Sequence, residues 1–321
     1  MGGDHGPEPI AMGGIEAARR FGIRVTLVGP HSQLTHFVDV AGGAPPTLSI
    51  VAAEEWIAMD EEPVQAARRK KEASINVGLG LVRSGEADAF VSAGSTGAVM
   101  AASLFSLGRL RGCDRPAIAA FLPHRQGGVL LIDVGANVEC RPQHLLQFAH
   151  MGSAYLERVM GRKEPRVGLL SVGEESTKGT DTVQEAHRLL TRSPLNFIGN
   201  VEGKDLPSGM VDVVVTDGFT GNVVLKAAEG IAGYVVSELK HSLKSRLDYK
   251  LAGKYLAPGL RKAWRSLDYT AYGGAPLLGV NGIVIICHGR SSATAITRAV
   301  EVAGDAASRG LLTHVQETLR S

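Results

Sequence analysis

Apolar residues in this chain gather into short runs that stop at glycine: Ile23 to Gly29, Ala89 to Gly94, Val129 to Gly135, Arg166 to Gly173, Asn196 to Gly199 and Ile283 to Gly289. A further run, Val211 to Val215, passes through Thr216 and Asp217 into Gly218. Short apolar runs bounded by turn residues predict strands covered on both faces. Between them the period changes, and Pro142 to Met160 and Thr180 to Leu190 carry helical spacing. The alternation predicts a three-layer α/β/α protein, residues 1–321 forming one domain around a parallel sheet. Ligands of such sheets bind beyond the carboxyl ends of the strands, so the glycine-ended loops are expected to converge on one crevice.

A different pattern occupies residues 231–268. Ile231, Val235, Leu239, Leu243, Leu247 and Leu251 recur every fourth residue, and Tyr255, Leu256, Leu260 and Trp264 continue the stripe past Pro258-Gly259. This predicts an amphipathic helical hairpin. Its polar face is basic: from Lys240 to Arg265, eight cations, among them Lys244, Lys250 and Lys254, stand against Asp248 alone. The window carries +7, so a chain whose net charge is +2 carries −5 elsewhere. Such a surface fits an anionic membrane or an acidic protein, and equally a helix packed on a core with a solvated basic face.

Composition narrows the class. A hydrophobic content of 44% supports a sizeable core, and 40 glycines supply many tight turns. The three cysteines, Cys113, Cys140 and Cys287, lack CxxC spacing, which argues against disulfides and structural zinc and for a reducing cytoplasm. No apolar run reaches the roughly 18 residues that would span a bilayer.

Five loops carry the candidate chemistry: Ser92 to Ala98 (SAGSTGA), Asp133 to Cys140 (DVGANVEC), Gly173 to Thr180 (GEESTKGT), Gly199 to Asp205 (GNVEGKD) and Asp217 to Asn222 (DGFTGN). Small residues let backbone N–H groups approach an anion, and hydroxyls with Lys178 or Lys204 add donors and charge, a combination that suits phosphate. Familiar nucleotide motifs are absent. GLGLVRSG has the wrong third spacing for GxGxxG, neither lysine loop keeps the GxxxxGK[ST] order, and Gly94-Ser95-Thr96 is not a GxSxG elbow. For Asp217 and Thr220 the plain alternative is helix capping.

The blocks MGGDHGP, SAGSTGA, LLIDVGANVEC, GLLSVGEESTKG, NFIGNVEGKD, VVVTDGFTGNVVLK and GGAPLLGVNGIVI resemble the signature blocks of the bacterial acyl-acyl carrier protein:phosphate acyltransferases, the PlsX-type enzymes. The resemblance runs from Met1 to about Ala303. It implies transfer of a fatty acyl group from acyl carrier protein to inorganic phosphate, giving acyl phosphate for a membrane glycerol-phosphate acyltransferase in phospholipid synthesis. It also implies a homodimer with a fold similar to phosphotransacetylases and isocitrate or isopropylmalate dehydrogenases, and no cofactor, metal or nucleic acid is expected. Family members carry a short apolar strand before MGGDHGP, whereas Met1 opens inside that block, which bears on how Asp4 and His5 are held. Ser95 stands where the family pattern has Asn.

The implied reaction assigns expected roles. Lys178 with backbone N–H groups near Gly135, Gly218 and Gly221 would hold phosphate, and Asn137, Asn200 or Asn222 would donate to the oxyanion. Ser95, Thr96, Lys204, Asp217, Thr220 and His288 complete the expected substrate site. A departing thiol of pKa near ~8.5 needs no essential general acid. His5, His124 and His288 are candidate bases, though a lone histidine at a strand end is more often a turn residue. Acyl-enzyme chemistry at Cys140 or Cys287 is superfluous when phosphate attacks directly. Lys240, Lys244, Lys250, Lys254 and Trp264 would meet acyl carrier protein or a membrane surface, making the protein cytoplasmic and peripherally membrane-associated.

Overall fold

The structure, a computed structural model, describes residues 3–124, 127–244, 255–256, 259 and 273–320. Ten strands and ten α-helices are described. The first part of the chain runs α1 (Glu8–Phe21), β1 (Val25–Gly29), α2 (His31–Val40), β2 (Leu48–Ala52), α3 (Pro63–Arg69), α4 (Ser74–Ser84), β3 (Ala89–Ser92) and α5 (Thr96–Ser106). It continues with β4 (Ala117–Leu122), β5 (Val129–Ile132), α6 (Pro142–Arg158), β6 (Val167–Leu170), α7 (Asp181–Thr191), β7 (Phe197–Val201), β8 (Val213–Val215) and α8 (Gly218–Lys244). The last elements are β9 (Ala275–Leu278), β10 (Ile283–Ile286), α9 (Ala293–Ser308) and α10 (Leu311–Thr318). Each glycine-ended run predicted as a strand contains one, except that β7 starts in the run Asn196 to Gly199 and continues past its glycine to Val201, and the two predicted helices are α6 and α7.

The sheet is layered as predicted, but it is not parallel throughout. An eight-stranded sheet has the order β3-β10-β9-β4-β5-β8-β6-β7, and β1 pairs only with β2 in a separate two-stranded sheet. Three antiparallel pairings, β10 with β9, β9 with β4 and β4 with β5, interrupt the parallel ones. In consequence β3, β10 and β4 point one way, and β5, β8, β6 and β7 point the other. The reversing strands escape the glycine pattern: β4 runs into Pro123, and β9 follows Gly273 and Gly274, both at positive φ.

Alternate residues of the buried strands serve opposite faces. Leu130, Ile132, Val213 and Val215 pack with Phe148, Met151 and Tyr155 of α6 and Ile296 and Ala299 of α9. On the other face Val129, Leu131 and Val214 pack with Leu79 of α4, Val99 and Ala102 of α5, and Val224, Leu225 and Ala228 of α8. Apolar residues at every strand position follow from having helices on both faces.

Residue 231, the expected start of the hairpin, lies within α8, a single helix that begins at Gly218. Beyond its packed first turns it exposes Ile231, Tyr234, Val235 and Leu239, while Phe219 and Val223 are exposed near its start. Lys240 lies on the exposed part of α8. Lys250, Lys254, Trp264 and the side chain of Lys244 lie outside the described residues. Among the described residues no helix is long and apolar enough to cross a membrane.

Candidate active site

Strand reversal divides the five loops between two ends of the sheet. Four of them, following β5, β6, β7 and β8, sit side by side at one end, which we call the Asp133 end. The fifth, after β3, lies at the opposite end beside the loop after β10 and the Gly3-Asp4 turn; this is the His288 end.

At the Asp133 end the protein supplies its own anion. The Asp133 side chain is fully buried. Its Oδ1 accepts from the backbone N–H of Ile118 at 3.1 Å, Gly135 at 3.1 Å and Ala136 at 3.0 Å. Its Oδ2 accepts from Asn137 N at 2.7 Å and Asn137 Nδ2 at 2.9 Å. Burial pushes this carboxyl above its ordinary range, and the N–H donors pull the other way. The loop thus wraps a carboxylate as a backbone nest wraps phosphate.

The start of α8 is locked onto this loop. Gly218 N donates to Asn137 O at 2.7 Å and Gly221 N to Asp217 O at 2.9 Å. A Cβ on Gly221 would lie 1.8 Å from Asp133 O, so only glycine permits this approach. Asp217 caps the helix, accepting from Thr220 N and Thr220 Oγ1, both at 2.8 Å. The capping alternative for Asp217 and Thr220 is the observed one.

These bonds redirect several expected roles. The N–H groups of Gly135, Gly218 and Gly221 are spent inside the protein. Both amide hydrogens of Asn137 are committed, to Pro116 O at 2.7 Å and to Asp133. The Asn200 amide donates to Glu175 O at 2.8 Å, and its oxygen faces His187 Nδ1 at 3.0 Å. Asn137 has no amide hydrogen left for an oxyanion, and Asn200 is anchored by Glu175 and His187 with one of its two hydrogens committed. Lys204 is held by Glu202 at 3.1 Å and Glu174 at 3.7 Å, which raise its pKa. Lys178 and Asn222 remain exposed and open, the first folded against Gly173 and the second beside Gly135.

At the His288 end the donors are unspent. Ser95 is the N-cap of α5, yet its side chain makes no capping bond. Among the described residues the N–H groups of Thr96 and Gly97 have no protein acceptor, as expected for a first helical turn. Gly94 N is tied back to Ser92 Oγ. His288 Nδ1 accepts from Arg290 N at 3.1 Å, which leaves the ring proton on Nε2. Burial first, then the cations Arg290 and Lys226, holds the His288 pKa below its ordinary value, so the ring is a neutral donor near pH 7. Lys226 reaches this end from α8, paired with Glu229 at 3.0 Å. Arg290 has no ion-pair partner among the described residues. Asp4 is held: its N–H donates to Gly289 O at 2.9 Å, and its carboxylate lies over Gly289.

Arg290 and Lys226 were not among the sequence candidates. Arg290 had a signal, a cation directly after a strand that ends in glycine, in CHGRSS. Lys226 had none, since it becomes part of this end only through the length of α8.

The thiols and remaining histidines fit supporting roles. Burial pushes the thiols of Cys140 and Cys287 up to about 12, so neither is a nucleophilic thiolate near pH 7. His124, after β4, is held below its ordinary pKa by burial and then by Arg162. His5 is exposed.

Comparison with known proteins places this geometry in a family. The chain matches the model of the family described as fatty acid synthesis protein over residues 1–314. It is 52% identical over 318 residues to a phosphate acyltransferase from Heliobacterium modesticaldum, covering 99% of this chain and 95% of that relative. Its fold is similar to the EutD phosphotransacetylase from Staphylococcus aureus, with a TM-score of 0.62 and 17% identity over 94% of this chain and 92% of the other. A Salmonella typhimurium protein described as a 4-hydroxythreonine-4-phosphate dehydrogenase is similar at a TM-score of 0.53 and 13% identity, covering 95% of this chain and 97% of the other. The match along nearly the full length, with half the residues identical to a named acyltransferase, shows that the chain belongs to the fatty acid synthesis protein family of acyltransferase enzymes.

Proposed function

We propose that this chain transfers a long acyl group from the thioester of acyl carrier protein to inorganic phosphate, releasing the carrier thiol and acyl phosphate for phospholipid synthesis. Phosphate binds at the His288 end, on the N–H groups of Thr96 and Gly97, with Arg290 and Lys226 supplying charge. The observation that carries this placement is the contrast in donors. The N–H groups of Gly135, Gly218 and Gly221 at the Asp133 end are bonded within the protein, to the Asp133 carboxylate and to backbone carbonyls, and the N–H groups of Thr96 and Gly97 at the His288 end have no protein acceptor among the described residues.

The chemistry follows from the groups present. A phosphate oxygen attacks the thioester carbon, and negative charge moves onto the carbonyl oxygen. His288 Nε2–H, neutral and fixed by Arg290 N, is placed to donate to that oxyanion. The intermediate collapses by expelling a thiolate of pKa near ~8.5, which leaves without a protein acid. Ser95 and Thr96 line the phosphate side. Lys178 and Asn222 lie at the other end, Asn222 on the same first turns of α8 as exposed Phe219 and Val223.

The exposed apolar stripe of α8, leading to basic Lys240 and the cationic residues after it, is the proposed surface for acidic acyl carrier protein and for peripheral contact with anionic membrane. A second copy of the chain also fits an exposed stripe of this length, in keeping with a homodimer. Thiol release from palmitoyl acyl carrier protein, measured with and without inorganic phosphate, tests the reaction. Phosphate-dependent release with acyl phosphate as product supports it. Release that is insensitive to phosphate, or seen only with coenzyme A thioesters, refutes it.

A further inference from the structure

The cations of the His288 end share it with a carboxylate that the protein leaves open. Asp4 is anchored there by its backbone, its N–H donating to Gly289 O at 2.9 Å. Its side chain lies flat on Gly289: a Cβ at 289 would stand 2.7 Å from Asp4 Oδ1 and 3.0 Å from Oδ2, and would push the carboxylate away. A Cβ on Gly3 would lie 3.2 Å from Gly289 O and 3.5 Å from Ala93 O. The turn at Gly3 and Asp4 therefore sits between the loop after β10, which carries His288 and Arg290, and the loop after β3, which carries Ser95 and Thr96.

Three acids stand near this end, and two of them are spent. Glu229 pairs with Lys226 at 3.0 Å. Glu62 caps α3, accepting from Val64 N at 3.2 Å and Gln65 N at 2.7 Å, and the neighbouring Pro63 packs on Gly97, whose Cβ would meet Pro63 Cγ at 2.9 Å. Asp4 differs. It is exposed, and among the described residues its carboxylate accepts no hydrogen bond and forms no ion pair.

An ionised carboxylate only accepts hydrogen bonds, whereas the other groups of this end, the N–H groups of Thr96 and Gly97, His288 Nε2–H, Arg290 and Lys226, all donate. An acceptor among donors favours an anion that brings a hydrogen of its own. Inorganic phosphate near neutral pH carries at least one P–O–H, and sulfate, a tetrahedral anion of the same shape, carries none. A carboxylate beside the anion thus bonds to the first and repels the second, which is selection by an unmatched charge. We propose that Asp4 is a specificity-determining residue whose carboxylate accepts the P–O–H hydrogen of bound phosphate and excludes anions that carry no proton. This leaves the unprotonated phosphate oxygens to the donors and to the thioester carbon. The role rests on the placement of phosphate at the His288 end.

Sulfate separates this role from a structural one. The test is thiol release from palmitoyl acyl carrier protein at varied inorganic phosphate, with sulfate as competitor, for the parent chain and for Asp4→Asn. The substitution keeps the size and the backbone anchor, removes the charge and offers N–H groups to sulfate oxygens. It is expected to raise the phosphate KM by roughly 10-fold and to lower the sulfate Ki by a similar factor, so that the two constants move in opposite directions. Damage to the loop alone would weaken both anions together. A sulfate Ki that rises or stays put overturns the proposal. Should Asp4→Asn lose turnover, calorimetric titration of the same variant with phosphate and with sulfate reads the same two affinities. Arg290→Ala tells the two readings apart: an unchanged phosphate KM in that variant removes phosphate from this end, whereas a raised KM there with an unshifted sulfate Ki in Asp4→Asn removes the role of Asp4 alone.

Discussion

The two ends of the sheet use the same sequence vocabulary for opposite purposes. Both combine glycine-ended strands, small polar residues and a helix start. At the Asp133 end the nest after β5 and the start of α8 are already satisfied: a buried carboxylate takes five hydrogen bonds, Asp217 caps α8, and Asn137 and Asn200 brace neighbouring loops. At the His288 end, α5 begins without a side-chain cap, and cations from two distant segments approach it. Glycine-rich loops therefore mark close backbone approach. Whether the approach serves a ligand depends on whether the protein has already supplied the anion.

The contrast predicts that the Asp133 end fails by unfolding and the His288 end by losing substrate. The largest effect is expected from Gly221→Ala, because its Cβ would stand 1.8 Å from Asp133 O and 2.9 Å from Thr216 Cγ2. Loss of soluble protein, or a stability loss of about 3 kcal/mol or more by chemical denaturation, is expected. Asp133→Asn should follow closely. It turns an NH2 donor toward N–H donors that had an acceptor oxygen, costing about 2 kcal/mol or more, and wild-type stability would show that the nest is not braced by charge.

Arg290→Ala is expected to leave stability intact and raise the apparent phosphate KM by roughly 10- to 100-fold, the worth of a charge-assisted hydrogen bond. Lys178→Ala, at the other end, should change that KM by less than about threefold. His288→Ala is expected to lower kcat by roughly 100-fold, as loss of one oxyanion donor does, and His288→Gln should recover part of it. A KM effect alone would move His288 from the oxyanion to the phosphate.

Stability should also fall in acid. His124, His144, His150 and His288 are all held below their ordinary pKa, with burial the first cause. The unfolded chain then takes up protons first as pH drops below about 6.5, so stability is full above that value and declines beneath it. Unfolding midpoints at pH 7.5 and 5.5 measure the difference, and equal midpoints would contradict the burial account. The smallest effect is expected from Lys204→Ala, whose exposed pairs with Glu202 and Glu174 should leave Tm and turnover unchanged within error.

Much of this fold was legible because a strand covered on both faces needs apolar residues at every position, and each run from Ile23 to Gly29 through Ile283 to Gly289 contains or begins one. The strand directions were not. β4 and β9 pair antiparallel with each other across more than a hundred positions, as Ala117 does with Leu278, which no local pattern encodes, whereas their pairings with β5 and β10 are local hairpins. The site was legible as a set of loops but not as a place. Nothing local distinguishes the Asp133 carboxylate that fills its own nest from one that awaits a cation. Lys226 reaches His288 only because α8 spans the sheet face. Arg290 carries a local signal in CHGRSS, but lysines in glycine-rich loops carry the same one, so the pattern does not single it out.

The most direct test of where phosphate binds is the phosphate dependence of thiol release from palmitoyl acyl carrier protein, measured side by side for Arg290→Ala and Lys178→Ala. The account predicts a KM raised by roughly 10-fold or more for the first and nearly unchanged for the second. The reverse pattern would place phosphate at the Asp133 end and contradict it.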